Sequence, residues 1–189
     1  NPLATEGSAL PFKILLSGPV DATLSVLVNT FDSTAKEGDS DYTPLTDLLV
    51  TFAPGVTEVI VPVLTTQDKK VEADELFNLR MTDLDDGGRN VTISEDDFVA
   101  GKIVNDDSAV VTVTGLTPDE GHSEAMAPQG LFEISLTDAV NGLMTVDKTV
   151  TVQISTAAVT ATPGDDYTDL TLQTVTFAPG ESTKTVEIP

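Results

Sequence analysis

The chain has 189 residues, among them 31 acidic and 9 basic side chains, which give a formal net charge of −22. This charge disfavours nucleic acid and anionic membranes as partners, because few cations are present to replace the counterions of phosphate groups, and it favours cations. The absence of cysteine excludes disulfides, thiolate metal sites and cysteine catalysis. No run approaches the roughly 18 apolar residues of a membrane span.

Short segments that alternate apolar and polar residues recur along the whole chain. Threonine and valine are its commonest residues, with 28 and 22 copies, and both are β-branched types that favour strands. Turn-forming residues bound each segment and no window shows a helical stripe, so the pattern predicts an all-β antiparallel sandwich with one solvated face per sheet. The predicted strands cover residues 12–16, 24–28, 48–52, 59–63, 77–81, 109–113, 132–136, 150–154 and 186–188.

An internal repeat divides these strands into two sets. The segment Thr51–Gly55 reappears later in the chain as Thr176–Gly180. Ordered repetition of several anchors indicates two copies of one domain, and we assign residues 1–107 to the first copy and 108–189 to the second. The other anchors, in chain order, are Glu6-Gly7 with Glu120-Gly121, Phe12-Lys13-Ile14 with Phe132-Glu133-Ile134, Thr34-Ala35 with Thr160-Ala161, and Gly38–Thr43 with Gly164–Thr168.

Both predicted copies are cut at their outer ends. Most of a first strand is missing from the first copy, and the second copy stops where its counterpart of residues 65–107 would begin. We therefore expect a piece of a longer tandem array with open sheet edges. A neighbouring repeat or another copy of the chain would cover these edges, through strand completion or dimer formation, unless the end is disordered.

The repeat carries a set of motifs that resembles the Calx-beta domain family. In the first copy the set begins with Glu6-Gly7 and ends with Ile103–Asp107. Known members include the calcium-sensing domains of sodium–calcium exchangers and repeats of large bacterial surface proteins. The resemblance implies tandem immunoglobulin-like β-sandwiches with about seven strands per complete domain. The intervening motifs are Thr34-Ala35-x-x-Gly38-x-x-Asp41-Tyr42, Phe52-x-Pro54-Gly55, Asp68 and Glu72-x-x-Glu75-x-Phe77.

The resemblance also implies a calcium site at one end of the first copy. Calcium binds about six to eight oxygen ligands, and many carboxylates at one pole would repel one another without a cation. Gln67 and Asn105 stand where fuller family members carry acids, so we expect one or two ions, because ligand charge tunes affinity. The second copy keeps only Glu120 and Asp166, which predicts an incomplete site. The implied ligands are the carboxylates of Glu6, Asp41, Asp68, Glu72, Glu75, Asp106 and Asp107, and the backbone carbonyl of Lys70.

Other motifs receive simpler interpretations. Asp83–Gly87 superficially suggests an EF-hand loop, but its twelfth position is Ser94 and not glutamate, so we interpret it as a hairpin loop. His122 is interpreted as a loop residue, because one histidine cannot build a catalytic triad in both copies. Tyr42 and Tyr167 occupy equivalent positions and are expected to pack inside the domains. With 5% aromatic residues, no aromatic platform for sugars is expected.

Three functional hypotheses follow. The first is a calcium-binding, non-enzymatic β-sandwich repeat of a large extracellular or cell-surface protein, with a structural or adhesive role in which calcium stiffens the junction at Asp106 and Asp107. The second is a metal-free adhesive or protein-interaction module of the same fold, for which replacing Asp68 and Glu72 with alanine would leave stability unchanged or improved. The third is a carbohydrate-binding or hydrolytic module of an exoenzyme. Calcium is the cofactor expected, and no catalytic residue is assigned.

Overall fold

The computed structural model describes residues 1–94, 98–116 and 130–188. The only helical segment in those ranges is a turn of 3-10 helix at Glu37–Asp39. No helix among the described residues is long and apolar enough to cross a membrane. The all-β prediction is confirmed. The strands are β1 (Leu3–Thr5), β2 (Ala9–Leu15), β3 (Leu24–Asp32), β4 (Leu48–Phe52), β5 (Glu58–Leu64), β6 (Lys70–Val71), β7 (Glu75–Asp85), β8 (Phe98–Val104), β9 (Val110–Leu116), β10 (Gly130–Asp138), β11 (Gly142–Leu143), β12 (Thr145–Val146), β13 (Val150–Ile154), β14 (Gln173–Phe177) and β15 (Thr183–Ile188).

The chain divides into two compact units. Unit 1 comprises Asn1–Asp68 and Ala73–Asp106, and unit 2 comprises Lys69–Glu72 and Asp107–Pro189. The short strand β6 belongs to unit 2, where it pairs in parallel with β12. The predicted repeat boundaries, 1–107 and 108–189, stay a prediction.

Unit 1 is a sandwich of a five-stranded sheet, in the order β1-β8-β7-β3-β4, and a pair formed by β2 and β5. Every second residue of β2 is buried, as its alternating sequence predicts. Phe12 of β2 meets Phe77 of β7 edge to face, with ring centroids 5.7 Å apart, and Tyr42 stacks on Phe77 at 4.3 Å. The inward side chains of both sheets thus form one apolar core.

Unit 2 builds a smaller core. Strand β10 pairs with β9, β11 and β15, and β13 pairs with β14. The predicted strand 109–113 becomes β9, but Val111 and Val113 of its predicted inward face are 38% and 59% exposed, so its alternation does not mark a buried face. The buried apolar side chains are those of Ile134, Leu136, Met144, Val146, Val175, Phe177 and Val186.

The repeated Pro-Gly motif forms the same turn in both units. Gly55 and Gly180 have φ angles of +83° and +82°, in a left-handed region that glycine enters without steric cost. The N–H of Gly55 donates to the carbonyl of Val20 at 2.8 Å, and the N–H of Gly180 donates to the carbonyl of Val146 at 2.9 Å. One repeated sequence therefore builds one repeated local structure.

The prediction of a hairpin loop at Asp83–Gly87 is wrong for the first half of that segment. Strand β7 continues through Asp85, which pairs with Ser25 of β3. The register shifts between Ser25 and Leu27, so β7 carries an extra residue there. Asp83 takes a positive φ of +49°, which aspartate tolerates in such a β-bulge. The chain therefore turns only after Asp85.

Candidate metal centre

Glu6 lies at the end of β1, where a parallel strand pair brings it close to the end of β8. Thr5 of β1 faces Val104 of β8, and the N–H of Glu6 donates to the carbonyl of Val104 at 3.2 Å. Parallel strands run in the same direction, so their carboxyl ends meet at the same edge of a sheet. Glu6 therefore lies at the edge where Asn105 and Asp106 follow β8.

The glycine after Glu6 is required by the close approach of another segment. Gly7 has a φ of +71°, and a Cβ added there would lie 3.0 Å from the Cβ of Gln67. The hydroxyl of Thr65 donates to the carbonyl of Ser8 at 2.7 Å and accepts the N–H of Ser8 at 3.1 Å. A larger residue at position 7 would separate these two segments.

The first group of acidic side chains consists of Glu6, Asp68 and Asp107. Each offers a carboxylate oxygen, and these oxygens all lie within 4.8 Å of one another. Glu6 and Asp107 are buried, with 7% and 8% of their surfaces exposed, whereas Asp68 is exposed. Burying like charges at this spacing costs free energy, and a bound cation would offset that cost.

The second group consists of Asp41, Glu72 and Glu75, whose carboxylate oxygens also lie within 4.8 Å of one another. Oδ2 of Asp41 accepts the N–H of Lys36 at 2.8 Å, which closes the loop that carries it. The backbone carbonyl of Asp41 accepts the N–H of Thr66 at 3.0 Å. The loop is thereby tied to the segment that leads to the first group.

Asp106 and Lys70 stand outside these two groups. Oδ1 of Asp106 accepts a hydrogen bond from Nε2 of Gln67 at 3.1 Å. The ammonium group of Lys70 lies 2.6 Å from Oε2 of Glu72, so Lys70 brings positive charge beside the second group. The roles of the Asp106 carboxylate and of the Lys70 carbonyl as ligands stay predictions.

Asp74 supports this end of unit 1, although the motif comparison did not single it out. Its Oδ2 lies 2.6 Å from Nζ of Lys102, and its Oδ1 accepts the N–H of Asn105 at 3.2 Å. The hydrogen bond from Lys102 is the largest cause that holds the pKa of Asp74 below its ordinary value, and the hydrogen bond from the N–H of Asn105 acts in the same direction. Asp74 thus fastens the start of the acidic segment after β8. Its place between Glu72 and Glu75 makes it a candidate in the sequence, but that position does not reveal its bond to Asn105.

The donor set of the two groups suits a hard divalent cation. All six grouped side chains are carboxylates, and calcium takes about six to eight oxygen ligands at about 2.3–2.6 Å. The groups contain no histidine and the chain has no cysteine, whereas zinc sites usually use those ligands. The two groups therefore form a candidate centre for calcium, and the assignment of individual ligands stays a prediction.

Unit 2 repeats one element of this arrangement. Oδ2 of Asp166 accepts the N–H of Thr162 at 2.7 Å, the counterpart of the contact between Asp41 and Lys36. Within the ranges that the structure describes, Asp166 belongs to no group of three clustered acidic side chains. Glu120 and His122 lie outside the described residues, so the predicted incompleteness of this site stays a prediction.

Two aromatic side chains of unit 1 lie exposed beside each other, and the expected absence of an aromatic platform for sugars stays a prediction. Phe31 of β3 and Phe98 of β8 are 42% and 49% exposed, and their ring centroids are 5.7 Å apart. The guanidinium carbon of Arg80, on the intervening strand β7, lies 5.0 Å from the centroid of the Phe98 ring, which is a cation–π geometry. Strand phase places these side chains on the outer face, since Val28 and Leu79 of the same sheet are buried.

The family model of the Calx-beta domain matches residues 4–114 and 132–189. The chain therefore belongs to the Calx-beta domain family. Among solved structures it is similar to the calcium binding domain CBD12 of CALX1.1, with 22% identity over 98% of this chain and 70% of that chain and a TM-score of 0.49. The apo-form Calx CBD1 domain is 25% identical over 56% of this chain and 90% of that chain, with a TM-score of 0.48. No curated protein sequence matches the chain.

Proposed function

We propose that this chain is a calcium-binding, non-enzymatic structural repeat. The observation that carries the proposal is the pair of acidic groups, each with three carboxylate oxygens within 4.8 Å of one another. A protein with a net charge of −22 repels its own acidic side chains, and gathering six of them raises that cost. Binding of a cation to the folded state offsets this repulsion and stabilises the fold.

The chain's own residues would hold calcium in two sets. Glu6, Asp68 and Asp107 supply one set, and the other is Asp41, Glu72 and Glu75. Calcium supplies concentrated positive charge and flexible oxygen coordination. Asp107 belongs to the segment that joins β8 to β9, so a bound ion would restrain that segment. This restraint is the structural role that we propose.

We further propose that the parent protein works outside the cell or at its surface, in adhesion or as a stiff spacer. Calcium sites of extracellular modules bind with dissociation constants of about 10⁻⁴–10⁻³ M. Such sites stay loaded where calcium is millimolar. The Lys70 ammonium beside Glu72 lowers the net negative charge of the site. Gln67, which donates to Asp106, adds no charge where fuller family members carry an acid. Both features favour this weaker range.

Thermal unfolding with and without calcium tests the proposal. We expect calcium at about one hundred times its dissociation constant to add about 2.7 kcal/mol of stability, and chelation to remove that gain. Glu6→Gln with Asp107→Asn should abolish the part of the shift that the first set provides, and Glu72→Gln with Glu75→Gln the part that the second set provides. Sodium chloride at matched ionic strength separates specific binding from screening.

Asp83→Asn is the matched control, because Asp83 is exposed and asparagine tolerates its positive φ. It removes one negative charge far from both groups in sequence and should keep the full calcium shift. A calcium shift that is absent from the unaltered chain, or unchanged in both double variants, would refute the proposal.

One observation favours a second candidate function, a metal-independent interaction module. The exposed rings of Phe31 and Phe98 and the half-buried Arg80 form an aromatic and cationic patch on an otherwise acidic protein. Aromatic residues and arginine are enriched in binding hot spots. Binding to a glycan array or a protein ligand that survives chelation and is lost in Phe31→Ser with Phe98→Ser would support this function over the first.

A further inference from the structure

Thr65 is a buried polar residue that directly follows β5 and lies beside the turn that carries Glu6. Only 7% of its surface is exposed. The N–H of Thr65 donates to the carbonyl of Ser8 at 3.0 Å, which continues the pairing of β2 with β5 by one residue. The turn is closed by the N–H of Ser8, which donates to the carbonyl of Thr5 at 3.2 Å. Thr65 is therefore packed against a turn that contains a predicted calcium ligand.

The hydroxyl of Thr65 contacts both ends of this turn. It donates to the carbonyl of Ser8 at 2.7 Å and accepts the N–H of Ser8 at 3.1 Å, and its oxygen lies 3.3 Å from the carbonyl oxygen of Thr5. Threonine is β-branched, which restricts the rotation of its side chain, and a hydroxyl can both donate and accept hydrogen bonds. One buried side chain thus holds the start and the end of the turn together.

The segment after Thr65 leads to a second carboxylate of the first group. The side chain of Gln67 lies close to Gly7, because a Cβ added to that glycine would be 3.0 Å from the Cβ of Gln67. Asp68 follows, and its carboxylate oxygen lies within 4.8 Å of that of Glu6. Both acidic residues belong to unit 1. The turn and this segment therefore bring one carboxylate each to the first group, and the hydroxyl of Thr65 joins them.

The hydrogen bonds between the same segment and the loop of Asp41 join backbone atoms. The N–H of Thr66 donates to the carbonyl of Asp41 at 3.0 Å, and the N–H of Thr43 donates to the carbonyl of Leu64 at 2.8 Å. These bonds do not involve the side chain of Thr65. A substitution of that side chain should therefore act on the first acidic group and spare the second.

We infer that Thr65 is a positioning residue for calcium, because its hydroxyl holds Glu6 where the carboxylate of Glu6 meets that of Asp68. This inference rests on the calcium function proposed above. Removal of a group that orients a metal ligand commonly lowers metal affinity by about 10–100-fold, since a ligand that must be ordered on binding costs conformational entropy. Thr65 acts through the backbone of the turn and supplies no ligand atom of its own.

Two substitutions at position 65 separate the hydroxyl from the packing of the side chain. Thr65→Val keeps the volume and removes the hydroxyl, whereas Thr65→Ser keeps the hydroxyl and removes a methyl group. Both are made in a reference chain of full length that carries Glu72→Gln with Glu75→Gln, so that only the first set binds calcium. We expect isothermal titration calorimetry to show about tenfold weaker calcium binding in Thr65→Val and an affinity close to that of the reference chain in Thr65→Ser.

Measurements in a calcium chelator distinguish positioning from a purely structural role. Urea denaturation ranks the stability of the two variants, and positioning requires that calcium affinity follow the hydroxyl and not this ranking. The amide hydrogen of Ser8 should also exchange severalfold faster in Thr65→Val than in the reference chain, because it loses an acceptor. In Thr65→Ser its exchange rate should stay close to the reference value.

Thr34→Val in the reference chain is the matched control for the loss of a threonine hydroxyl. The hydroxyl of Thr34 accepts the N–H of Leu76 at 2.7 Å. Leu76 adjoins Glu75 of the second group, so this change should leave the calcium affinity of the first set as it is in the reference chain.

Equal calcium affinities in Thr65→Val and the reference chain would overturn the inference, and so would equal losses in Thr65→Val and Thr65→Ser. Calcium binding by the unaltered chain but not by the reference chain would also overturn it, because the first set would then not bind the ion by itself. If the unaltered chain bound no calcium, the proposed function would fail and this inference with it. If it bound calcium and Thr65→Val did so as tightly as the reference chain, the inference alone would fail.

Discussion

At the scale of single residues, Tyr42 and Tyr167 show one repeated side chain in two environments. The hydroxyl of Tyr42 donates to Asp32 at 2.6 Å, whereas the buried hydroxyl of Tyr167 finds no acceptor within the described ranges. The counterpart of Asp32 in the second sequence copy is Ala158, which has no side-chain acceptor. The same residue therefore contributes a hydrogen bond in unit 1 and carries a desolvation cost in unit 2.

Replacing each tyrosine by phenylalanine should separate these effects. We expect Tyr42→Phe to lower the free energy of unfolding by about 1–2 kcal/mol, because it removes a hydrogen bond to a charged acceptor. Tyr167→Phe is the matched control and should be neutral or slightly stabilising. Urea denaturation measures both changes, and equal losses in the two variants would contradict the assignment.

Asp32 should make part of the stability depend on acid. Hydrogen bonds from the Tyr42 hydroxyl and then from the N–H of Glu37 hold the pKa of Asp32 below its ordinary value. Since an unfolded aspartate has a pKa of about 3.9, the unfolded chain takes up a proton first as the pH falls. The stabilisation is therefore complete above about pH 4 and is lost as the pH falls through the lower native pKa.

The variant Asp32→Asn tests this linkage. It should be less stable than the unaltered chain at neutral pH, and its melting temperature should fall less steeply between about pH 4 and pH 2. Asp83→Asn serves as the comparison, because its carboxylate accepts no tyrosine hydrogen bond. If the pH profiles of Asp32→Asn and the unaltered chain ran parallel, Asp32 would not be the source of this acid-dependent loss of stability.

Those residues of the candidate site that belong to a sequence motif could be predicted. Contacts that depend on the path of the backbone could not. Six of the seven carboxylates implied by the resemblance fall into the two acidic groups. Asp106 instead accepts a hydrogen bond from Gln67, a contact set by how closely two loops approach. Asp74 was missed because its role depends on the direction of the Asn105 N–H, which residue spacing does not reveal.

At the scale of elements, the alternation of apolar residues predicts the longer strands well because one face of each must be buried. Strand β2 alternates between buried and exposed along its whole length. The short strands β1 and β6 carry too few residues for a period to be read. The β-bulge near Asp83 escaped prediction because aspartate and glycine favour both turns and bulges.

Gly101 of β8 lets the two sheets of unit 1 approach each other. A Cβ at this position would lie 2.6 Å from Cζ of Phe12 and 3.1 Å from Cδ2 of Leu10. We expect Gly101→Ala to lower the free energy of unfolding by about 1–3 kcal/mol through overpacking, as read from the midpoint of urea denaturation.

Gly115 of β9 provides the control for this change. A Cβ there would lie 3.8 Å from the nearest atom, Cε1 of Phe132, which is ordinary van der Waals contact. Gly115→Ala should therefore stay within about 0.5 kcal/mol of the unaltered chain. If Gly101→Ala proved equally mild, the close packing between β8 and β2 would be refuted.

At the scale of the whole molecule, charge opposes folding. The net charge of −22 makes the compact state repel itself, and salt screens this repulsion over a Debye length of about 8 Å at 0.15 M. The acidic groups near Glu6 and Asp41 are the densest part of this charge that the described residues show. The protein should therefore respond to ionic strength even where no specific ion binds.

Sodium chloride should raise the melting temperature in the absence of calcium. We expect an increase of about 2–4 °C between low and physiological ionic strength, which corresponds to about 1 kcal/mol for a chain of this size. Potassium chloride should have the same effect, because screening depends on ionic strength and not on the identity of the cation. A fall in melting temperature with salt would show that self-repulsion does not limit stability.

The parallel pairing of β1 with β8 determines how unit 1 would respond to tension. Leu3 begins β1 and Val104 ends β8. The two strands lie side by side and run in the same direction. A pull on Leu3 towards the amino terminus and on Val104 towards the carboxyl terminus slides the strands past each other in shear. The hydrogen bonds of the pair, including that from Glu6 to Val104, then share the force and must break together. Under a pull in this direction the pair should therefore give way in one step and not peel open one bond at a time.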